Sequence, residues 1–266
     1  MQEDLKILLE WFVANGITDL FYSDIEENNF DFQYKFEKPV IDKRDTGSVI
    51  RALARQQEEV RELNFMHNTK SRDLADRINN IEDILQNILG LDIYKNFIKT
   101  ASSTIVLNGN TKADILIIND LPNDEDDING NIFSGENGEL LKKMMKAINL
   151  EENDYCLLNS FFWRLPGNRN PIKEELNLCK PFVEKLIAII KPKLIIFMGS
   201  YAISSIFEEN KTLVSLHGKF FDYTNCYLQD NIKVTGVYGP NFLIKNTAKK
   251  RDAWNDLLKI KDFLDK

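Results

Sequence analysis

Asn159 closes the apolar run Tyr155-Cys156-Leu157-Leu158 and is followed by the stiff, cationic stretch Arg164-Leu165-Pro166-Gly167-Asn168-Arg169. An amide at the carboxyl end of a buried strand offers both a donor and an acceptor to the edge of a nucleobase. The other use of such an Asn is to satisfy backbone groups in a turn. Arg164 and Arg169 flank a Pro-Gly turn with Asn168 between them, and guanidinium groups on a rigid loop suit phosphate. Surface ion pairs are the alternative for these arginines. Together, amide and loop suggest a protein that binds nucleotides one base at a time.

Three further segments carry chemistry. Asn119-Asp120-Leu121-Pro122-Asn123-Asp124-Glu125-Asp126-Asp127 follows an apolar run. Its carboxylates could orient a water or bind a divalent cation, with Asp120, Asp124, Asp126 and Asp127 as the oxygen donors; a solvated acidic loop is the plainer reading. Phe133 lies between Gly130 and Gly135, ahead of a helical pattern, where an aromatic ring can stack on a planar ligand or plug the core. Gly239-Pro240-Asn241-Phe242-Leu243-Ile244-Lys245 places apolar residues beside a cation, as a groove-inserting wedge or a helix-entry staple would. The two histidines, His67 and His217, are isolated in sequence. His217 precedes Gly218 in a loop that can face a cleft, and a lone histidine is as readily a structural one.

The elements that must hold these groups alternate from residue 101 onward. Expected strands are Thr104–Leu107, Asp114–Ile118, Tyr155–Asn159, Leu194–Met198 and Val234–Tyr238; expected helices are Glu136–Asn149, Ile172–Ile190, Tyr201–Glu208 and Ala248–Leu264. Runs such as Ile115-Leu116-Ile117-Ile118 are apolar on both faces, as in a parallel sheet covered by helices. The expectation is a three-layer α/β/α domain over 101–266 with a mostly parallel sheet of four or five strands. Ligands of such sheets sit at the carboxyl ends of the strands, where the loops from Asn119, Asn159, Gly199 and Gly239 converge. Residues 1–100 read as an N-terminal helical extension. A short amphipathic helix carries Leu5, Leu8, Leu9, Trp11 and Phe12, residues 24–47 are irregular, and a helix spans Val49 to Met66. A stripe of Leu74, Ile78, Ile81, Leu85 and Ile88 marks a packing face or a partner contact.

The chain has 266 residues and a net charge of −7, so any contact with nucleic acid must come from a local patch. Three scattered cysteines, Cys156, Cys179 and Cys226, give no disulfide framework and no metal-ligand spacing. No apolar run is long enough to span a bilayer, and the acidic N-terminus lacks a signal-peptide core. The expectation is a cytoplasmic protein without a membrane association.

In order, these segments resemble the family 4 uracil-DNA glycosylases over about the last 60% of the chain. The family's Gly-Glu-Ala-Pro-Gly is matched by Asn119 to Asn123, its Glu-Asp by Asp126-Asp127, and its Gly-x-Pro-Phe-Val-Gly by Gly130 to Gly135. Its Tyr-Ile-Thr-Asn strand matches Tyr155 to Asn159. The Arg-Pro-Pro-Gly-Asn-Arg-x-Pro loop matches Arg164 to Pro171, followed by Glu174-Glu175, Cys179, the Gly199 and Gly218 loops and Trp254.

The resemblance implies a base-excision repair enzyme acting on uracil-containing DNA, single- or double-stranded; the N-terminal helices, outside the resemblance, could recruit a protein partner. A flipped deoxyuridine would stack on Phe133, and Asn159 would read its edge and reject cytosine. The catalytic set would be Asp120, Asn159 and Asn241; Arg164, Asn168, Arg169, Leu243 and Lys245 would hold DNA. Asp120 stands for the family's Glu, one methylene shorter, and a setback of about 1 Å can cost on the order of 100-fold in rate. Gly239-Pro240-Asn241 stands for His-Pro-Ser, and losing the imidazole donor removes roughly 3 kcal/mol of anion stabilisation; Asn241 or His217 is the candidate substitute. The iron–sulfur cluster of the family needs four cysteines, of which only Cys179 remains, with Trp163 at the loop position. No metal or cofactor is therefore expected. The runner-up reading is a binding module of the same fold that does not turn over.

Overall fold

The computed structural model describes residues 66, 68–90, 92–207 and 211–265. The helix expected near residues 5–16, the irregular segment 24–47, most of the helix over 49–66, and His67 lie outside these residues. One compact unit spans Glu62–Lys266.

Its sheet has six strands in the order β1-β3-β2-β4-β6-β5, comprising β1 (Leu107–Gly109), β2 (Ile115–Asn119), β3 (Tyr155–Asn159), β4 (Leu194–Met198), β5 (Phe221–Tyr223) and β6 (Ile232–Gly236). The four inner strands are parallel, and β1 and β5 are antiparallel edges. The sheet is thus six-stranded, against the expected four or five. The addition, β5, is only Phe-Asp-Tyr, too short to show an alternating pattern. The first strand begins at Leu107, so the expected Thr104–Leu107 is displaced toward the β1 turn at Gly109.

Alternation on the inner strands splits the core into two layers. Leu116 and Ile118 of β2 join Ile195 and Phe197 of β4 on one face, while Ile115, Ile117, Leu194, Ile196 and Met198 pack on the other. Burial on both faces is why these strands are apolar throughout. Helices α1 (68–77), α2 (Glu82–Leu89) and α3 (Lys95–Thr100) precede β1, α4 (Asp124–Asn129) and α5 (Gly135–Lys146) follow β2, α6 (Lys173–Ile190) follows β3, and α7 (Ser200–Ser204) and α8 (Leu213–Leu216) follow β4. After β6 come α9 (Pro240–Lys245) and α10 (Lys250–Leu264).

Residues 68–77 and Glu82–Leu89 are helical, separated by a break at 78–81, so the apolar stripe belongs to two helices rather than one. Ile78, Ile84 and Ile88 are buried, and Leu74 and Ile81 pack against the same layer as Phe161, Trp163 and Phe182. The side chain of Leu85 lies outside the described residues. Arg72 pairs with Glu184 of α6 at 2.7 Å, and the Tyr94 hydroxyl donates to the Leu178 carbonyl at 2.9 Å. Described residues of 68–100 thus pack in the same compact unit as the sheet.

Candidate active site

β2, β3 and β4 end in register at Asn119, Asn159 and Met198, and two adjoining cavities open near these carboxyl ends. The inner cavity, about 510 Å³, is lined by Asn119, Asp120, Phe133, Tyr201, Tyr238 and Asn241, among others. The outer one, about 530 Å³, is lined by the acidic loop, Trp163, Arg164, Asn168, Arg169 and Lys245. Asn137, Asn170, Asn241 and Lys245 border both, so they form one continuous cleft. Each is of a size that holds a small organic ligand.

Phe133, expected as a stacking residue, borders the inner cavity; it is 9% exposed and belongs to the same core layer as Leu141 and Met145. Its φ of 57° is left-handed, which an aromatic residue rarely adopts, and this turn sets the ring ahead of α5.

Asp120 also borders the inner cavity. Its carboxylate accepts from the backbone N–H of Ala202 at 2.8 Å, at the start of α7. Burial pushes its carboxyl up to about 6, against the pull of N–H groups from Ala202, Tyr201 and Ser200. Gly199, at φ 137°, makes this approach feasible, since a Cβ there would lie 2.0 Å from the carboxylate. Main-chain donors thus hold the Asp120 carboxylate in the cavity wall.

Asn159 departs from expectation. It is fully buried and lines neither cavity. Its Nδ2 donates to the Ile105 carbonyl at 2.9 Å, and its Oδ1 accepts from Asn119 Nδ2 at 2.8 Å. Each end of the amide has a partner inside the protein, and the side chain expected to read the base has no surface on the cleft. Asn119, whose β2 position is the direct register partner of Asn159, stands in front of it. An amide at a strand end was the signal that singled out Asn159, and Asn119 carries the same signal at the neighbouring strand.

The remaining expected residues divide. Asn241, in the first turn of α9, is exposed where the cavities meet. Lys245 is exposed at the same junction and forms no ion pair with a described residue. Leu243 is 1% exposed and packs in the core, so it is turned away from any DNA; its neighbour Phe242 is 42% exposed and stacks on Tyr238 at 5.0 Å. The helical period of α9 decides between them, because consecutive residues point about 100° apart.

The cationic loop is charge-balanced. Arg164 meets Asp124 at 3.0 Å and Asp127 at 3.2 Å, and Arg169 makes a two-pronged pair with Glu175. Asn168 donates to Asp124. Burial raises the Asp127 carboxyl, but the N–H groups of Ser103 and Ser102 and the Arg164 guanidinium hold it below the usual range. Asp126 caps α4 and accepts from Ser134 N–H at 2.6 Å. Asp124 and Asp127 of the acidic loop thus share Arg164 while Asp126 is turned to main-chain N–H groups, and no three His, Cys, Asp or Glu side chains among the described residues are grouped to hold a metal ion.

His217 pairs with Asp256 of α10 at 3.0 Å, lies beside Tyr238, and lines neither cavity. Gly239, at the family's histidine position, packs so closely that a Cβ would lie 2.9 Å from the Met198 carbonyl.

The residues present do not fit the iron–sulfur cluster of family 4. Cys179 is fully buried, and burial drives its thiol far above its ordinary range, away from a ligating thiolate. Trp163 fills the region with Tyr94, Phe97, Phe161 and Phe162, ring centroids 5.0–5.7 Å apart, and donates its indole N–H to Thr104. No helix among the described residues is long and apolar enough to cross a membrane.

The family model of the Uracil DNA glycosylase superfamily matches residues 107–258, which contain the sheet and the whole cleft. The chain is 26% identical to the type-4 uracil-DNA glycosylase of Archaeoglobus fulgidus over 193 residues, covering 70% of this chain and 94% of that protein. It is 30% identical to the type-4 enzyme of Saccharolobus solfataricus over 161 residues (59% and 74%), and 27% identical to that of Thermotoga maritima over 168 residues (62% and 85%). With a buried parallel sheet, a cleft at its carboxyl edge and a match over more than half its length, the chain belongs to the uracil-DNA glycosylase superfamily and is similar to its family 4 members.

Proposed function

We propose that this protein is a uracil-DNA glycosylase that hydrolyses the N-glycosidic bond of deoxyuridine in DNA. The observation that carries the reading is the inner cavity, where an aromatic wall (Phe133), an amide (Asn119) and a carboxylate (Asp120) meet at the strand ends, inside the matched span. A base flipped from the stack enters this cavity and lies against Phe133. As the C–N bond breaks, positive charge develops on the sugar and negative charge on the leaving base. Asp120 offsets the first and orients the attacking water; Asn241, at the cavity junction, donates to the second. Lys245 holds a flanking phosphate, and Phe242 supports the gap left in the duplex. The three cysteines are unpaired, which agrees with action in a reducing cytoplasm.

The test is uracil release from single-stranded and U:G oligonucleotides by wild-type protein and Asp120→Asn. Release abolished by the substitution supports catalysis; no release at high enzyme concentration overturns it for these substrates.

One observation favours a second reading, a base-binding module without turnover: among the described residues no imidazole lines the cleft, and Gly239 is packed against Met198. Uracil-dependent binding without release would select it.

A further inference from the structure

The hydrogen bonds beneath the inner cavity form a directed chain whose polarity is fixed at its far end. The Ile105 carbonyl is a main-chain acceptor, so the Asn159 atom that meets it must be the NH₂ group. That turns Asn159 Oδ1 toward Asn119, whose NH₂ group must in turn face Asn159. The same NH₂ group also donates to the Leu121 carbonyl at 3.3 Å, which uses its second hydrogen. The atom of Asn119 left for the cavity is Oδ1. Asn119 is 6% exposed, lines the inner cavity, and its Oδ1 accepts no hydrogen bond from a described residue.

We propose that Asn119, rather than Asn159, reads the base in this cavity, and that it reads as an acceptor only. This deepens the proposed function and rests on its placing of a nucleobase in the inner cavity. A free asparagine amide recognises uracil twice, accepting from N3–H and donating to the 4-oxo group, and its donor repels the 4-amino group of cytosine. With the donor edge locked inward, the N3–H contact survives and the 4-oxo contact does not. The repulsion that would exclude cytosine is absent, and the 4-amino group is itself an acceptable donor to Oδ1. The ligand class is therefore a pyrimidine edge that presents an N–H, and discrimination between uracil and cytosine at this edge is weak. Asn159 holds the Ile105 carbonyl with one amide hydrogen only, so removing the Asn119 side chain frees its Oδ1 beside its second hydrogen and turns the floor back toward two-point recognition.

The experiment measures binding by fluorescence anisotropy, using the full chain and one single-stranded oligonucleotide carrying either 2′-fluoroarabino-uridine or 2′-fluoroarabino-cytidine. The fluorine disfavours a cationic sugar and so suppresses cleavage. Wild-type protein is expected to bind the two within about threefold, and Asn119→Gly to prefer uridine by about tenfold or more, the scale set by one buried hydrogen-bond mismatch. Asn119→Ala serves as a second variant that keeps the backbone preference, and thermal melts of both confirm folding. A wild-type preference for uridine above about tenfold overturns the acceptor-only floor; if Asn119→Gly leaves that preference unchanged, Asn119 is not the reader either, while uracil recognition itself stands. Weak discrimination that persists in both variants likewise overturns the inference. Binding of neither oligonucleotide overturns this inference and the glycosylase reading together.

Discussion

Asn119 donates through Nδ2 to Oδ1 of Asn159 at 2.8 Å, across a register in which the two residues close neighbouring parallel strands. The bond ties the end of β2 to the end of β3 and, through Asn159 Nδ2, to the Ile105 main chain. Asn159→Ala would leave the Ile105 carbonyl and one Asn119 hydrogen without partners in a dry interior. The expected cost is about 1–3 kcal/mol in urea denaturation. A loss of uracil binding with no loss of stability would show instead that Asn159 meets the ligand directly.

Asp120 links stability and activity to pH. Its folded value, about 6, is above the ordinary 3.8, so between these limits the folded protein holds more protons than the unfolded chain. The contribution of this group to stability therefore falls as pH rises from about 4 to about 6. Asn cannot ionise, so the stability of Asp120→Asn relative to wild type should improve by about 2–3 kcal/mol between pH 4 and pH 7, read from denaturant midpoints. Uracil release by wild type should rise through the same window as the carboxylate forms. A difference in stability that does not vary with pH would sink this account.

Gly239 explains why the missing histidine is not simply restored. A Cβ at this position meets the Met198 carbonyl at 2.9 Å, closer than side chains approach main chain, so Gly239→His forces the end of β4 or the start of α9 to move. The expected result is a loss of about 1–3 kcal/mol by urea denaturation with no increase in uracil release. A gain in release on the order of 100-fold would show that the spacing adjusts and that an imidazole is accepted there.

DNA affinity should follow unpaired charge rather than the number of cations. Arg164 is balanced by Asp124 and Asp127, and Arg169 by Glu175, whereas Lys245 faces both cavities without an ion pair among the described residues. Lys245→Ala should weaken binding to single strands and reduce the slope of log affinity against log salt by about 0.7, one phosphate contact. Asp124→Ala should strengthen binding at low salt by removing one of the two carboxylates that balance Arg164, leaving Asp127 in place. Equal salt slopes for wild type and Lys245→Ala would remove Lys245 from the interface.

Strands buried on both faces were legible because every residue must be apolar: Tyr155–Asn159 and Leu194–Met198 fall where the pattern places them. β5 was not, since three residues on an antiparallel edge carry too little pattern. Phe133 was legible as a stacking candidate because its flanking glycines mark a turn before a helix. Leu243 was misplaced because motif order gives no helical phase, and α9 turns that residue inward and Phe242 outward. Arg164 and Arg169 were legible as cations, but their carboxylate partners come from 37–40 residues upstream in one case and six downstream in the other, and ion pairing leaves no local mark.

The sequence by itself determined the parallel α/β sheet, the loops that meet at its carboxyl edge and the family, because hydrophobic period and motif order are written in local residue types. Only the tertiary structure decided which amide faces the cleft. Asn119 and Asn159 are 40 residues apart and chemically identical, and what separates their roles is a register pairing and a carbonyl at Ile105 that fixes the direction of every hydrogen bond in front of it.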